Sequence, residues 1–192
     1  MDNTKEKILQ VAGRIFSRFG FYKTSMDEIA RTSHKAKGSL YYHFASKEDL
    51  FTEVVALELK NLKKELAMVV TDPELDPREK IKKYLLTRMA VLYRASNYQE
   101  TLKADFFEHF EFVDHLRADL DHWEKEQLKS IIKKGIETGE FADQHEKMDV
   151  LLDVFIMVLK GLEIPFFLQN KYSELSPHFD DLINILVKGM AA

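Results

Sequence analysis

The amino-acid sequence predicts an all-α fold, and three observations lead to this prediction. Large apolar residues recur every three or four positions along most of the 192-residue chain, as on the buried face of a helix. The chain contains only 7 Gly and 4 Pro, too few for the many turns of a β-sandwich or a β-barrel. No stretch alternates apolar and polar residues with the period of two that strands show. We therefore expect about nine helices.

The first four helices are predicted from apolar stripes and capping residues. The first stripe consists of Ile8, Val11, Ala12, Ile15, Phe16 and Phe19, and Gly20 is a suitable residue to end this helix. A short second helix is expected to begin at Ser25, because the Ser-Met-Asp-Glu segment has the pattern of a capping box. A third is expected over about Ala36–Phe44, and a long fourth helix follows a second cap at Ser46.

The remaining helices are separated by polar or proline-containing breaks. Pro77 suits the first position of a helix, and Gly139 suits a left-handed C-terminal cap. Pro165 should kink the helix that contains it, because its ring clashes with a backbone carbonyl of the preceding turn. The predicted landmarks are a break at 71–77, a polar gap at 95–97, a helical pattern that ends at Gly139, a helix over about 147–168 and a last helix that begins at Ser176-Pro177.

The composition excludes several classes of protein. The absence of Cys excludes a disulfide scaffold, a Cys-ligated zinc site and a thiol nucleophile. The first ten residues lack the apolar core of a signal peptide, so we expect a cytoplasmic protein. The longest apolar stretch contains Asp153, Lys160 and Glu163. Each charge would cost about 2.5–3.5 kcal/mol at the centre of a bilayer, so no membrane partner is expected.

Charge is distributed unevenly along the chain. Residues 1–47 hold nine Lys and Arg against four Asp and Glu, a net charge of +5, which leaves −9 for the rest of a chain whose total is −4. A basic head on an acidic body indicates an anionic partner for the head. Chance variation on a solvated surface is the alternative explanation.

Residues 25–47 hold the most specific pattern in the sequence. Two short helices joined by a tight turn have the proportions of a helix-turn-helix. At about 100° per residue, the second of these helices directs Leu40, Phe44 and, less deeply, Tyr41 toward the first helix and the second. The opposite, exposed side carries Gly38, Ser39, Tyr42 and His43.

The exposed residue types suit contact with double-stranded DNA. Ser39 can bond to a base edge or a phosphate, and Tyr42 can contact a thymine methyl group or a phosphate. Lys37 and Lys47 can each neutralise a phosphate near one end of the helix. Ser25 is a further phosphate candidate, because the N–H groups at the start of a helix attract anions.

Four segments around this pattern match those of a known family. They are FSRFGF at 16–21, TSMDEIA at 24–30, KGSLYYHF at 37–44 and SKEDL at 46–50. With them, the N-terminal 50 residues resemble the DNA-binding domain of TetR-family transcriptional regulators. The resemblance implies a three-helix DNA-binding domain over residues 1–46, with the Tyr41 hydroxyl on a phosphate. It also implies that these residues lie at or near DNA: Gly38, Ser39, Tyr41, Tyr42, His43 and Lys47.

The sequence departs from the family at the turn between the two short helices. Members usually carry Ala-Gly-Val there, whereas this chain has Ser33-His34-Lys35. His34 tolerates a left-handed backbone better than most non-glycine residues. Lys35 must either extend its ammonium to the surface or be displaced while Ala36 fills the gap. Whether this ammonium contacts a phosphate or only compensates for the change of residue remains open.

Beyond residue 46 the resemblance implies a larger helical domain, residues 47–192, that binds an effector and forms a homodimer. The segment 134–141, KGIETGEF, matches the end of the family helix that precedes the dimerisation pair. Between Val150 and Leu159 only Asp153 is charged, so this helix must be buried on more than one side, by a partner subunit or inside a monomer core. The candidate dimer residues are Phe155, Val158, Leu162, Leu182 and Leu186.

Large side chains on inward faces of the body helices are candidates for an effector cavity, with simple core packing as the alternative. They are Met89, Tyr93, Phe106, Phe110, Trp123 and Phe155. His109, His115 and His122 suggest metal ligands. The two Glu-x-x-His repeats of di-iron bundles are absent, so we interpret these histidines as part of a solvated face and expect no metal and no cofactor.

Together these observations predict a ligand-responsive DNA-binding transcriptional regulator and not an enzyme. We expect a homodimeric repressor that a small, largely apolar effector releases from its operator. One alternative is a helical carboxylate and histidine metalloprotein enzyme. The other is a helical interaction protein without affinity for duplex DNA.

Overall fold

The computed structural model of the chain describes residues 3–103, 111–143 and 146–191, and their regular structure is helical. The elements are α1 (Asn3–Phe19), α2 (Met26–Thr32), α3 (Lys37–His43), α4 (Lys47–Thr71), α5 (Pro77–Arg94), α6 (Ser96–Glu100), α7 (Glu111–Glu137), α8 (Met148–Glu163), a π-helical turn (Ile164–Leu168) and α9 (Tyr172–Gly189). The prediction of an all-α fold is confirmed. None of the described helices combines the length and the apolar character needed to cross a membrane.

The described residues fall into two compact units. Unit 1 comprises those within Met1–Lys60 and Ala95–Val113, and unit 2 comprises those within Asn61–Arg94 and Asp114–Ala192. Helix α4 therefore contributes residues to both units, and α6 belongs to unit 1 although it follows α5 in the chain. The predicted end of the DNA-binding domain, between residues 46 and 47, remains a prediction. The two compact units are defined by packing and not by function.

The core of unit 1 is built from the apolar faces of its first four helices. Phe16 of α1 packs edge-on against Phe51 of α4, with ring centroids 5.1 Å apart. Phe19 was predicted to share this core but is 46% exposed, so its assignment is wrong. Gly20 takes a φ of 82° directly after the last residue of α1, and the chain turns there. Phe21 fills the place instead, with its ring 5.0 Å from that of Phe51.

Helix α6 is joined to α1 and α4 by partly buried hydrogen bonds. The Asn97 Nδ2 donates to the Gly13 carbonyl of α1 at 3.2 Å and to Glu58 Oε1 of α4 at 2.7 Å. The backbone N–H of Tyr98 donates to Glu58 Oε2 at 2.7 Å. Burial raises the pKa of Glu58, and these bonds oppose the rise. The polar residues predicted as a gap at 95–97 therefore start a short helix and attach it to its neighbours.

Unit 2 contains a buried charge cluster that joins three helices. Arg88 Nε of α5 donates to both carboxylate oxygens of Glu124 of α7, at 2.9 and 3.1 Å. Arg88 Nη2 also donates to Glu163 of α8 at 2.8 Å, and the Tyr84 hydroxyl donates to Glu124 at 3.2 Å. Arg117 Nη2 lies 3.4 Å from Glu163. Burial raises the pKa of Glu124, while the adjacent Arg88 lowers it. Such a cluster costs desolvation energy and requires every partner.

The ends of the body helices agree only partly with the sequence prediction. Gly139 caps α7 with a φ of 77°, as predicted. The predicted irregularity at Pro165 takes the form of the π-helical turn. The last helix was predicted to begin at Ser176-Pro177, which is wrong, because α9 begins at Tyr172 and contains Pro177. The additional turn is anchored by the Tyr172 ring, which stacks on Tyr93 at 4.2 Å.

Candidate nucleic-acid interface

The helix-turn-helix forms as its capping residues predict. Ser25 is the N-cap of α2, and its Oγ accepts a hydrogen bond from the Glu28 N–H at 3.2 Å. The Ser25 side chain is exposed, and its own proton stays available for an anion. Ser46 caps α4 in the same way, because its Oγ accepts from the Asp49 N–H at 3.0 Å.

The turn between α2 and α3 places His34 in the left-handed region with a φ of 54°, as the sequence suggested. The Lys35 N–H donates to the Ala30 carbonyl at 3.0 Å and closes the turn. Lys35 is half-buried, and its Nζ donates to Thr4 Oγ1 of α1 at 3.4 Å. Ala36 is exposed and does not fill the core. Of the two predicted outcomes for Lys35, the structure therefore favours an ammonium that extends to the surface.

Helix α3 is anchored on one side and exposed on the other. Leu40 and Phe44 are buried, whereas Tyr42 is 85% exposed and Tyr41 is 45% exposed. A β-carbon added to the exposed Gly38 would meet no atom within 4 Å. Tyr41 and Tyr42 are therefore both exposed on α3.

The two lysines near the ends of α3 differ in how firmly they are held. Lys37 Nζ lies 2.7 Å from Asp27 Oδ1 in an exposed ion pair. The hydrogen bond with Asp27 raises the pKa of Lys37. Lys47 Nζ donates to the Phe21 carbonyl at 3.1 Å and lies 4.2 Å from the centroid of the Phe21 ring. Lys47 therefore has a structural contact besides its predicted contact with phosphate.

The structure brings most of the predicted DNA-contacting residues onto one short helix. Those on α3 are Lys37, Gly38, Ser39, Tyr41, Tyr42 and His43. Ser39 and His43 are half-buried, and the His43 ring lies edge-on to the Tyr42 ring with centroids 5.1 Å apart. Ser25, Lys35 and Lys47 lie on neighbouring segments of unit 1. Contact of each residue with DNA remains a prediction.

The residues predicted to form an effector cavity are placed in several different environments. Met89 is buried, Tyr93 stacks on Tyr172, and Trp123 has the Lys63 ammonium 5.8 Å from its ring centroid. Phe155 lines an apolar cavity in unit 2 whose other walls the sequence did not single out. Phe106 and Phe110 lie outside the described residues.

The predicted dimer residues belong to a larger set of exposed apolar residues on α8 and α9. Val158 is 55% exposed, Leu182 and Leu186 are also exposed, and Phe155 and Leu162 are half-buried. We call the exposed residues of this set the α8–α9 face, and its members are Val150, Val154, Met157, Val158, Leu182, Ile185 and Leu186. Sequence reasoning missed four of them, although their spacing along each helix would have identified them.

The histidines do not form a metal site in the part of the chain that the structure describes. No group of three or more His, Cys, Asp or Glu side chains there is arranged to hold a metal ion. His115 and His122 are exposed on α7, and His109 lies outside the described residues.

The capped turn and the exposed face of α3 define the class of the protein as a helix-turn-helix DNA-binding protein. A family model described as bacterial regulatory proteins of the tetR family matches residues 8–54. An uncharacterised HTH-type transcriptional regulator of Bacillus subtilis, YhgD, is 28% identical over 190 residues, which cover 98% of this chain and 97% of YhgD. The match over residues 8–54 and the full-length likeness to YhgD indicate a TetR-family transcriptional regulator.

Two further comparisons extend over the body of the chain. A probable acrEF/envCD operon repressor of Escherichia coli is 24% identical over 164 residues, which cover 82% of this chain and 71% of the repressor. The crystal structure of a transcriptional regulator from Cytophaga hutchinsonii superposes with a TM-score of 0.79 and 24% identity, covering 100% of both chains. At this identity the likeness shows the fold alone.

Proposed function

We propose that this chain is a dimeric repressor that binds double-stranded operator DNA through α3. A small, largely apolar effector binds to the body and releases the DNA. In this proposal residues 1–46 form the DNA-binding domain, and residues 47–192 bind the effector and form the homodimer. A repressor works where its operator is, so the proposed location is the cytoplasm.

The observation that carries the proposal is the outer face of α3. The Tyr42 ring is 85% exposed on a helix that is otherwise fixed by Leu40 and Phe44. Glycine inside a helix costs roughly 0.5–1 kcal/mol relative to alanine. No neighbouring atom requires glycine at position 38. The fold does not require Gly38, but the absence of a side chain there would let the phosphate backbone of DNA approach α3 closely.

Repression is supported by the name of the Escherichia coli relative, which describes that protein as an operon repressor. Release by an effector follows as a shift between two populated conformations of the repressor. Only an effector that binds one conformation more tightly than the other can shift their ratio. The conformation favoured by the effector would place the two α3 helices of a dimer at a spacing that no longer matches successive major grooves.

The homodimer is supported by the α8–α9 face. Its large aliphatic side chains stand exposed on two long helices of unit 2. Clusters of large exposed apolar side chains, such as those along each of these helices, mark interaction surfaces. A second copy of the chain is the proposed partner, because a pair of helix-turn-helix heads related by a two-fold axis reads two half-sites.

Two elements of unit 1 offer a route by which the body can act on α3. Helix α4 begins at Lys47, close after α3, and continues into unit 2. Helix α6 is linked directly to α5 of unit 2 by the chain, and Asn97 bonds it to both α1 and α4. A displacement of the end of α5 would therefore reach α1 through these hydrogen bonds.

The experiment that tests this proposal selects bound duplexes from a randomised DNA pool with the purified full-length protein. We expect enrichment of an inverted repeat whose half-sites are separated by about one helical turn. Affinity for the selected duplex should fall steeply as salt concentration rises. Enrichment of no sequence, together with no duplex binding at low salt, would instead support the interaction protein that binds no DNA.

A further inference from the structure

We infer that the effector site is an apolar cavity among α5, α7, α8 and α9 of unit 2, and that it takes an uncharged, hydrocarbon-rich molecule. This inference rests on the proposed function, whose effector it assigns to a place and a chemical class. The cavity has a volume of about 320 Å³, and all its lining residues are apolar or glycine. Representative lining residues are Ile81, Leu128, Ile132, Leu152, Phe155 and Met190.

Water is a poor occupant of this cavity. The cavity is partly open to solvent, and its lining side chains provide no hydrogen-bond partner for water. An apolar molecule that enters removes this apolar surface from water, which is favourable. The volume is about twice the roughly 150 Å³ of an engineered apolar cavity that binds benzene. A larger apolar molecule is therefore the expected occupant.

One wall of the cavity is held in place by specific contacts. The Phe141 ring lies so close to Gly135 that a β-carbon at position 135 would be 2.1 Å from it. The adjacent Ala142 N–H donates to the Met190 carbonyl beyond the end of α9 at 2.9 Å. Phe141 also forms an isolated antiparallel bridge with Ala191. The cavity thus has a constructed wall, which argues against a chance packing defect.

Four charged residues near the lining residues of α7 and α8 are paired with each other. Lys129 Nζ lies 2.6 Å from Asp149 Oδ1, and Lys125 Nζ lies 2.6 Å from Asp153 Oδ1. None of these four side chains lines the cavity. A charged ligand would lose its hydration there without gaining a counter-charge, so the cavity selects against ions.

The position of the cavity connects it with the proposed dimer. Helix α8 presents Leu152 and Phe155 to the cavity, while Val154 and Val158 belong to the exposed α8–α9 face. A ligand in the cavity therefore contacts the same helix that would meet the partner subunit. Occupation of the cavity can change the packing of α8 and so the spacing of the two heads.

The test uses the full-length protein and the uncharged fluorescent probe N-phenyl-1-naphthylamine. Two variants fill the cavity independently, Ile132→Trp and Ala142→Leu. Ala142 lines the cavity and is only half-buried, so the second variant should fold. Leu57→Trp is the control, because Leu57 is exposed on α4, lies outside the α8–α9 face and does not line the cavity.

We expect saturable binding of one probe per chain, weakened at least tenfold in both filling variants and unchanged in the control. 1-Decanol should displace the probe at concentrations at least tenfold lower than decanoate, which has the same chain length but carries a charge. Wild-type probe affinity in both folded filling variants, or equal displacement by decanoate, would overturn the inference. Loss of probe binding on dimerisation would also overturn it, by showing that a second copy fills the space.

Duplex binding by the same proteins separates this inference from the proposed function. All variants should bind the selected duplex without decanol, and only the filling variants should keep the duplex when decanol is added. If the wild type binds the duplex but not the probe, the cavity assignment fails alone. If it binds the probe but no duplex, DNA binding fails and the cavity stands as a ligand site.

Discussion

The exposed face of α3 and the α8–α9 face both present large side chains to solvent, but their chemistry differs. The α3 face carries two tyrosines, a serine and a histidine, with Lys37 and Lys47 at its ends. The α8–α9 face carries aliphatic side chains and a methionine. Hydroxyl groups and cations suit a phosphate backbone, whereas aliphatic groups gain only from exclusion of water. Exposure alone therefore does not identify the partner of a surface. The polar groups on that surface indicate whether the partner is DNA or protein.

The largest effect is expected from a charge on the aliphatic face. Val158→Asp should raise the dissociation constant of the dimer about 100-fold or more, because a buried unpaired carboxylate costs several kcal/mol. Sedimentation velocity measures the fraction of monomer. Leu57→Asp on α4 is the control, since Leu57 is exposed to a similar extent but lies outside the α8–α9 face. A dimer of unchanged strength in Val158→Asp would place the interface elsewhere.

A smaller effect is expected from removing the aromatic ring of the α3 face. Tyr42→Ala should weaken binding to the selected duplex by about tenfold, which corresponds to about 1.4 kcal/mol. The melting temperature should stay unchanged, because the ring is exposed. Tyr42→Phe separates the contribution of the hydroxyl from that of the ring. Equal affinity of wild type and Tyr42→Ala in duplex titrations would remove Tyr42 from the reading surface.

At the edge of the α3 face, Lys47 should contribute to both DNA binding and stability. Lys47→Met should reduce the slope of log affinity against log salt by about one, the contribution of one phosphate contact. It should also lower the free energy of unfolding by about 1 kcal/mol, because the bond to the Phe21 carbonyl is lost. Lys47→Arg keeps the charge and is the control. A salt slope that does not change would restrict Lys47 to its structural contact.

The smallest effect concerns the exposed ion pair at the other end of α3. Asp27→Asn should increase duplex affinity by about two- to threefold at low salt, because it removes the carboxylate that holds the Lys37 ammonium. The gain should disappear as salt rises. Glu28→Gln removes an equal charge from the same turn of α2 and serves as control. An equal gain in both variants would show a general charge effect and no specific competition for Lys37.

The helix-turn-helix was predictable because its signals are local. Ser25 and Ser46 are followed three positions later by the residues whose N–H groups they accept from, so both caps could be read from spacing. Leu40 and Phe44 follow helical periodicity and are buried as expected. The glycine cap at position 139 is local in the same sense.

The features that were missed depend on contacts between residues distant in the chain. Tyr172 starts α9 before Pro177 because its ring meets Tyr93, which is 79 positions away. The apolar cavity is lined by four helices and a loop, and one periodic stripe cannot reveal such a space. A signal for the buried cluster was present, however. Glu124 interrupts the apolar stripe of α7 four positions after Leu120 and four before Leu128.

The buried cluster of Arg88, Glu124 and Glu163 also constrains how the sequence can vary. Loss of one partner leaves an uncompensated buried charge, which costs about 3–5 kcal/mol, whereas replacing the whole set by well-packed apolar residues is often neutral or stabilising. Single substitutions at these positions should therefore be rare among functional descendants of this protein. The three positions, which lie on three different helices, are expected to covary, so that a lineage keeps the ionic set or exchanges it as a whole.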